Sequence, residues 1–374
     1  VANKGRAFMS AGMLRATMQL ALVKNPVTVY RNFRRTYKTI STVRLGPYPK
    51  AIYSLDAGRS AVSHYFSVMR QINALGKPDD DLCVILFPEF AFNGEVIEHK
   101  ESGDGTTSSQ LVHSAANPHS EETVRAIFDE IHAELSKLSP GFVVAAGGIA
   151  VDTGETLPSG KKKGMNVGAV LESHEQTRVY FSKHNESGID GWDSNRFEVQ
   201  PGKGPIARTV KDPSGGRSAT LGAIICLDMV KGPFSEEFRE LDLVAVSSAG
   251  TPDWRQMWIE NSPVGAQTEI AVADSVIGGL IGGGLYVRGE SPKHPYLKGL
   301  HTLAGRGLLG DILLAAYDFF LAVRPGDALG SRPDYVIRGE KRYEVDGILV
   351  WTSDPRELPE LPRVVKHLDE NTDT

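Results

Sequence analysis

Three side chains able to act together on a carbonyl carbon close apolar stretches of this chain. Glu89 ends LCVILFPE, Lys183 ends RVYFSK and Cys226 ends LGAIIC. Each stretch reads as a buried strand, which puts its last side chain at the carboxyl edge of a sheet, where open α/β sheets collect ligands. Charged groups are seldom placed at the foot of a buried strand unless they are paired. A free thiol has a pKa of about 8.5, so near neutral pH it needs a base or a positive neighbour before it can attack. A partly desolvated Glu89 is a candidate general base. Lys183, kept charged by that glutamate, could stabilise an oxyanion. Cys226 leaves its strand into the polar turn Leu227–Asp228, as at a nucleophile elbow. There the Leu227 N–H becomes a second oxyanion donor and Asp228 a support residue of the turn. Each residue also has a plainer reading alone: Cys226 as a small buried hydrophobe, the two charges as strand ends pointing to water.

In this order, FPEFAFNG, VYFSKHN and GAIICLDM resemble the three signature motifs of the nitrilase superfamily of carbon–nitrogen hydrolases. The resemblance runs over roughly residues 50–320. It includes MNVGAVLES before the lysine motif, the Pro-Gly turn in FEVQPGKGP after it, and SSAGTPDW after the cysteine. It implies an α/β fold, a four-layer α-β-β-α sandwich. Glu89 would be the base, Lys183 the oxyanion-stabilising lysine and Cys226 the nucleophile, with no metal and no organic cofactor. The resemblance also implies a homo-oligomer, since related proteins commonly pair through the face near the cysteine.

The chain departs from the family pattern in informative places. Many members carry a further glutamate shortly before the Pro-Gly turn. Counting back from Pro201-Gly202, that position falls at Asn195, with Asp193 and Glu198 nearby as substitutes. Leu227-Asp228 follows the cysteine where true nitrilases have Trp-Glu, and Val230 stands where amidase-like members often have arginine. The resemblance therefore favours a small-molecule amide or carbamoyl substrate over a nitrile. A nitrilase, a carbamoylase, an acyl- or amidotransferase, and a non-catalytic scaffold remain as alternatives. Phe92, Trp192, Trp254 and Tyr286 are candidate pocket walls.

The elements that must position these residues follow from periodicity and punctuation. Residues 1–49 read as a helical or irregular basic extension, and LGPYP as a linker. A strand over Lys50–Leu55 opens the hydrolase domain, residues 50–323. A helix follows over Ser60–Leu75, where apolar residues recur at helical spacing. Asn93–Ala116 reads as a long polar loop, Glu121–Leu138 as an amphipathic helix with acids in its first turn, and Gly141–Ala150 as a buried strand. A hairpin tip at Ser159–Gly164 introduces two further strands, MNVGAVLES and TRVYFSKHN. Ala219–Cys226 and Asp242–Ser248 are the next strands, with a helix-like run over Ser235–Asp242 between them. Helical stretches at Trp254–Ile259 and Val264–Ala273, a strand within Ile277–Val287 and a late strand at Ile312–Asp318 complete the domain. Residues 324–374 read as a tail packed on the core or on a neighbouring subunit.

Composition excludes several classes. The 374 residues are 41% hydrophobic and 23% charged, ordinary for a globular chain. Two cysteines, Cys83 and Cys226, make no disulfide framework and suit a reducing compartment, so a cytoplasmic location is expected. Cys83, inside a strand, reads as inert core. Residues 1–50 hold ten Lys and Arg and no acid; set against −5 overall, they leave the remainder at −15. Such an arm suits packing on the acidic body of this protein or a sister subunit, and is also compatible with a transit peptide, peripheral membrane contact or an acidic partner. No nucleic-acid motif and no apolar run of spanning length is present. His113, His119, His294 and His301 lack metal-ligand spacing. GGLIGGG lacks the Lys-Ser/Thr of a phosphate loop, and the sequon Asn185-Glu186-Ser187 directly follows the candidate lysine.

Overall fold

The computed structural model describes residues 37–249, short internal stretches aside, together with 264–265, 268–274, 283–287 and 340–358. The segments 1–36 and 359–374 and the expected elements at Trp254–Ile259 and Ile312–Asp318 lie outside the described residues.

The first sheet is built on β1 (Thr39–Leu45), β2 (Asp81–Phe87), β6 (Phe142–Thr156), β7 (Lys162–Glu172) and β8 (Val179–Ser182). Helix α1 (Leu55–Gln71) separates β1 from β2. After β2 come a hairpin of β3 (Glu95–Glu101) and β4 (Thr107–His113), the short β5 (His119–Ser120), and α2 (Glu121–Leu135). Then β9 (Phe197–Val199) pairs beside β7. The second sheet runs in the order β10 (Ile206–Lys211), β11 (Ser218–Ile225), β12 (Leu243–Ser248), β13 (Glu269–Asp274), β14 (Gly283–Val287). A four-residue helix α3 (Asp228–Lys231) and a 3-10 turn (Glu236–Glu240) join β11 to β12. Near the end of the chain β15 (Glu340–Val345), β16 (Ile348–Ser353) and β17 (Arg356–Glu357) return to the first sheet. Its main path is β15-β16-β1-β2-β6-β7-β8.

The two sheets face each other, and α1 and α2 cover the outer face of the first. Strand β2 shows why it is apolar throughout. Leu82, Val84 and Leu86 join the core shared with β11, β12 and β13, whereas Cys83, Ile85 and Phe87 join the core shared with the helices. A strand buried on both faces has no polar phase. Burial also lifts the Cys83 thiol to about 11, as expected of an inert core cysteine. Ser54 and Ser120 cap the two helices by accepting the N–H groups of Ala57 and Thr123.

Five elements differ from the sequence reading. The sheet begins inside the basic segment: β1 pairs in parallel with β2 and lies in mid-sheet, while the described residues of the expected strand Lys50–Leu55 are not strand and Leu55 opens α1. The buried Arg44 made this strand look like a surface arm. Its guanidinium donates twice to Glu340, at 2.6 Å each, and once to the Val272 carbonyl, at 2.7 Å. Pairing from a strand almost 300 residues away neutralises a charge that sequence alone sends to solvent. By the same contact, part of the presumed tail is sheet, with β16 and β17 both pairing on β1. The presumed loop Asn93–Ala116 contains the β3–β4 hairpin. Within the stretch Val264–Ala273, expected to be helical, residues from Glu269 onward belong to β13, because the short apolar run Ile270–Ala273 has no period that separates a buried strand from a helix. The run Ser235–Asp242 forms only a 3-10 turn.

Candidate active site

The three strand ends converge. Glu89 and Lys183 are 0% and 4% exposed, and Lys183 Nζ donates to Glu89 Oε1 at 2.8 Å. The Cys226 thiol, also buried, interacts with the same carboxylate and favours its charged form. Sheet register brings them together. The Cys226 N–H donates to Ser247 O at 2.8 Å, and the Glu89 N–H donates to Ser248 O at 3.2 Å, so both residues hang on the end of β12. The Ser247 hydroxyl reaches across to Phe87 O at 2.8 Å, tying the two sheets at this level. Cys226 has φ +45°, the left-handed conformation of a tight exit from a strand. Such strain costs on the order of 1–3 kcal/mol and is held only by surrounding structure.

The space for Glu89 is made by a glycine. Gly148 has φ +79°, its carbonyl accepts the Phe90 N–H, and a Cβ there would lie 2.3 Å from Glu89 Cγ. Gly148→Ala is therefore expected to push the carboxylate off the lysine. It should lower turnover on the order of 100-fold and destabilise the fold by about 1–3 kcal/mol. Steady-state rates and urea midpoints check this, and wild-type rates in a folded variant would contradict it.

Lys183 is fixed from both sides. Its N–H donates to Asn166 O, and its carbonyl accepts the N–H of Gly202, in the Pro-Gly turn. A Cβ on Gly202 would meet the Ser182 hydroxyl oxygen at 2.1 Å, so the turn can close on β8 only with glycine there. Asp228 performs the matching task next to the cysteine. Its carboxylate accepts the N–H groups of His184 and Asn185 at 2.7 and 2.8 Å, joining the chain after the lysine to the turn after the cysteine. Burial raises the Asp228 pKa, and these donors oppose the rise.

The second carboxylate is not where counting put it. Asp193 accepts the Asn195 N–H within its own turn, Asn195 is exposed, and Glu198 accepts from Ser159 and Gln200 at the surface. Asp190 takes the place instead: it is 2% exposed and accepts from Lys183 Nζ at 2.9 and 2.7 Å. Asp190 follows Ile189 in SGIDGWD, an acid beside an apolar residue seven positions past the lysine; that was the available signal. Asn166 was also missed as a site residue. Its amide donates to Glu89 Oε1 at 2.7 Å.

Two carboxylates and a thiol thus surround one ammonium. Glu89 is raised to about 7 in all: burial pushes it up most, Lys183 pulls it down, and Asp190 pushes it up again. Burial alone would lower Lys183, but Glu89, Cys226 and Asp190 overrule it and hold the ammonium above the ordinary lysine range. Burial and the two carboxylates keep the Cys226 thiol protonated at rest; Lys183 opposes them. A thiol in such a setting needs an acceptor for its proton before it can attack, and a carboxylate raised to about 7 is suited to that task.

Of the expected pocket walls, Phe92 is corrected. It packs edge-on against Tyr65 and beside Phe87 in the helix-side core. Trp192 packs on the small cluster of Phe90, Ala115 and Ala150 and meets Phe197 edge-on. Leu227 packs against the inter-sheet core. Trp254 and the Tyr286 side chain lie outside the described residues. Among the described residues, no helix is long and apolar enough to cross a membrane.

Fold and site together define an α/β sandwich carrying a buried Glu–Lys–Cys cluster at the facing ends of its sheets. No family model matches the sequence, and no curated protein matches it. Among solved structures, the chain is similar to an amidase from Nesterenkonia sp. at 16% identity and TM-score 0.39, over 68% of this chain and 84% of that one. It is also similar to Saccharomyces cerevisiae Nit3, a member of branch 10 of the nitrilase superfamily, at 10% identity and TM-score 0.38, over 67% and 83% of the two chains. A carbon–nitrogen hydrolase from Helicobacter pylori G27 is similar at 14% identity and TM-score 0.37, over 67% and 82%. These are distant likenesses, and what the site can do follows from its own residues.

Proposed function

We propose that this chain is a carbon–nitrogen hydrolase of the nitrilase superfamily that cleaves a small-molecule amide through a thioester on Cys226. The observation that carries the reading is the convergence of Glu89, Lys183 and Cys226 from three strand ends into one buried cluster. As Cys226 Sγ attacks the amide carbonyl, its proton passes to Glu89. The developing oxyanion takes hydrogen bonds from Lys183 Nζ and the Leu227 N–H. Glu89 returns the proton to the leaving nitrogen, the C–N bond breaks, and ammonia or an amine departs. Water then gives its proton to Glu89 and attacks the thioester; the acid leaves and the thiol is restored. Asp190 supplies the charge that, with Glu89, keeps Lys183 protonated throughout.

The test is a panel of small amides, carbamoyl compounds and nitriles, with products read by mass spectrometry. Acid plus ammonia or amine, together with an acyl mass on the Cys226 peptide after a rapid quench, is the expected result. Acyl groups appearing on an added amine or thiol in place of water would make the chain a transferase. Failure of every substrate to label Cys226 would overturn the reading.

The same cluster fixes a pH dependence. Glu89 must be ionised to accept the thiol proton, and its pKa is raised to about 7. Turnover at limiting substrate should therefore fall as pH drops through about 7, rather than near the ordinary glutamate value of about 4.3. Glu89→Gln should lower the rate by about 10²–10⁴-fold and abolish that limb.

A further inference from the structure

Asn166 lies at the centre of the candidate site, yet it can neither attack, nor donate a proton, nor hold a charge. It stands on β7, opposite Ala150 of β6, and is 2% exposed. It touches both ionisable partners of the cysteine. Its backbone carbonyl accepts the Lys183 N–H at 2.8 Å, and its side-chain Nδ2 donates to Glu89 Oε1 at 2.7 Å. Lys183 Nζ donates to that same oxygen at 2.8 Å. Among the described residues, no amide or ammonium donates to Glu89 Oε2, which is equally buried. The amide orientation follows from the contact, since turning the amide over would set one acceptor oxygen against another.

We propose that Asn166 is a positioning residue for the base: with Lys183 it saturates one oxygen of the Glu89 carboxylate and leaves the other as the proton acceptor for Cys226. The inference rests on the hydrolase reading of the site. Stability alone gives no reason for this side chain. Among the described residues its buried Oδ1 has no hydrogen-bond partner, and an apolar residue of similar volume would remove that orphaned acceptor. What the asparagine adds is a donor that favours the ionised carboxylate and cannot compete for the proton in transit. An aspartate or histidine here would titrate alongside Glu89; an asparagine does not.

The sign of the test follows directly. Removing a donor from a carboxylate disfavours its charged form, so the Glu89 pKa rises and more alkaline solution is needed to ionise the base. The full chain carrying Asn166→Leu, matched in volume, is compared with wild type by the pH dependence of Cys226 alkylation by iodoacetamide, followed by mass spectrometry on the Cys226 and Cys83 peptides. Amide turnover is followed in parallel. The expected result is an acid limb displaced upward by about one pH unit and a rate about tenfold lower near neutrality, with the thermal midpoint unchanged or higher. Asn166→Asp places a like charge beside Glu89 and should displace the limb the same way, so the test survives if the leucine variant fails to fold. A limb left at its wild-type position in either folded variant, whatever the rate, would overturn the proposal. Wild-type Cys226 alkylating no faster than Cys83 at any pH would overturn the thiol–base pairing itself, and the positioning role with it.

Discussion

Cys226→Ala and Cys226→Ser are each expected to remove amide turnover, by at least about 10⁴-fold, in a protein that remains folded. The size of the loss follows from the rest of the cluster. Glu89 and Lys183 can polarise a bound amide and hold a water, but neither supplies the nucleophile that splits one hard displacement into two easier ones. Serine keeps a nucleophilic atom, but its hydroxyl is far less acidic than a thiol, and the base near pH 7 is matched to sulfur. Both replacements retain the left-handed backbone at φ +45° and the N–H bond to Ser247. The thermal midpoint should thus move by only a few degrees, as for a loss of about 1 kcal/mol. Single-turnover assays with mass detection of the acyl-enzyme, beside a calorimetric scan, check both halves. Substantial turnover by Cys226→Ala would remove the thioester from the mechanism altogether.

Lys183→Met is expected to do the largest structural damage of any single change in the site. It removes the ammonium on which Glu89 and Asp190, 0% and 2% exposed, both converge. Breaking a buried pair from one side costs about 3–5 kcal/mol, because the remaining charge is uncompensated. The loss must also depend on pH. Without the lysine, the Glu89 carboxylate, already raised by burial, is held further above its unfolded value of about 4. A raised carboxylate leaves stability intact below the unfolded pKa and withdraws it as pH rises through the folded one. Relative to wild type, the variant should be close to normal at about pH 4 and clearly destabilised at pH 8. Urea midpoints at the two pH values measure this, and Asp190→Asn in the same background should recover part of the loss at pH 8. An equal deficit at both pH values would show that packing, not charge, holds Lys183 in place. Turnover should be lost in Lys183→Met at every pH.

The sequence was most readable where physics acts locally. Strands β2, β6 and β11 announced themselves by unbroken apolar runs, and α1 and α2 by helical spacing of their apolar faces. It was least readable where distant residues cancel one another's charge. Arg44 looked like part of a basic surface arm until Glu340 was seen beside it. Residues 269–273 looked helical because a short run of buried residues carries no period.

The same division runs through the site. The sequence by itself determined which side chains could act: a carboxylate, an ammonium and a thiol, each at the end of a strand. The chemistry of those groups and the alternation of a strand are properties of the chain alone. Only the tertiary structure decided which second carboxylate meets the lysine. A hydrogen bond of 2.7 Å depends on how the loop after Lys183 folds back, and no count along the chain fixes that return. Counting favoured Asp193, Asn195 or Glu198, and folding chose Asp190. The tertiary structure likewise brought Asn166 onto Glu89 across 77 positions of sequence, turning a polar residue in an apolar strand into a partner of the base.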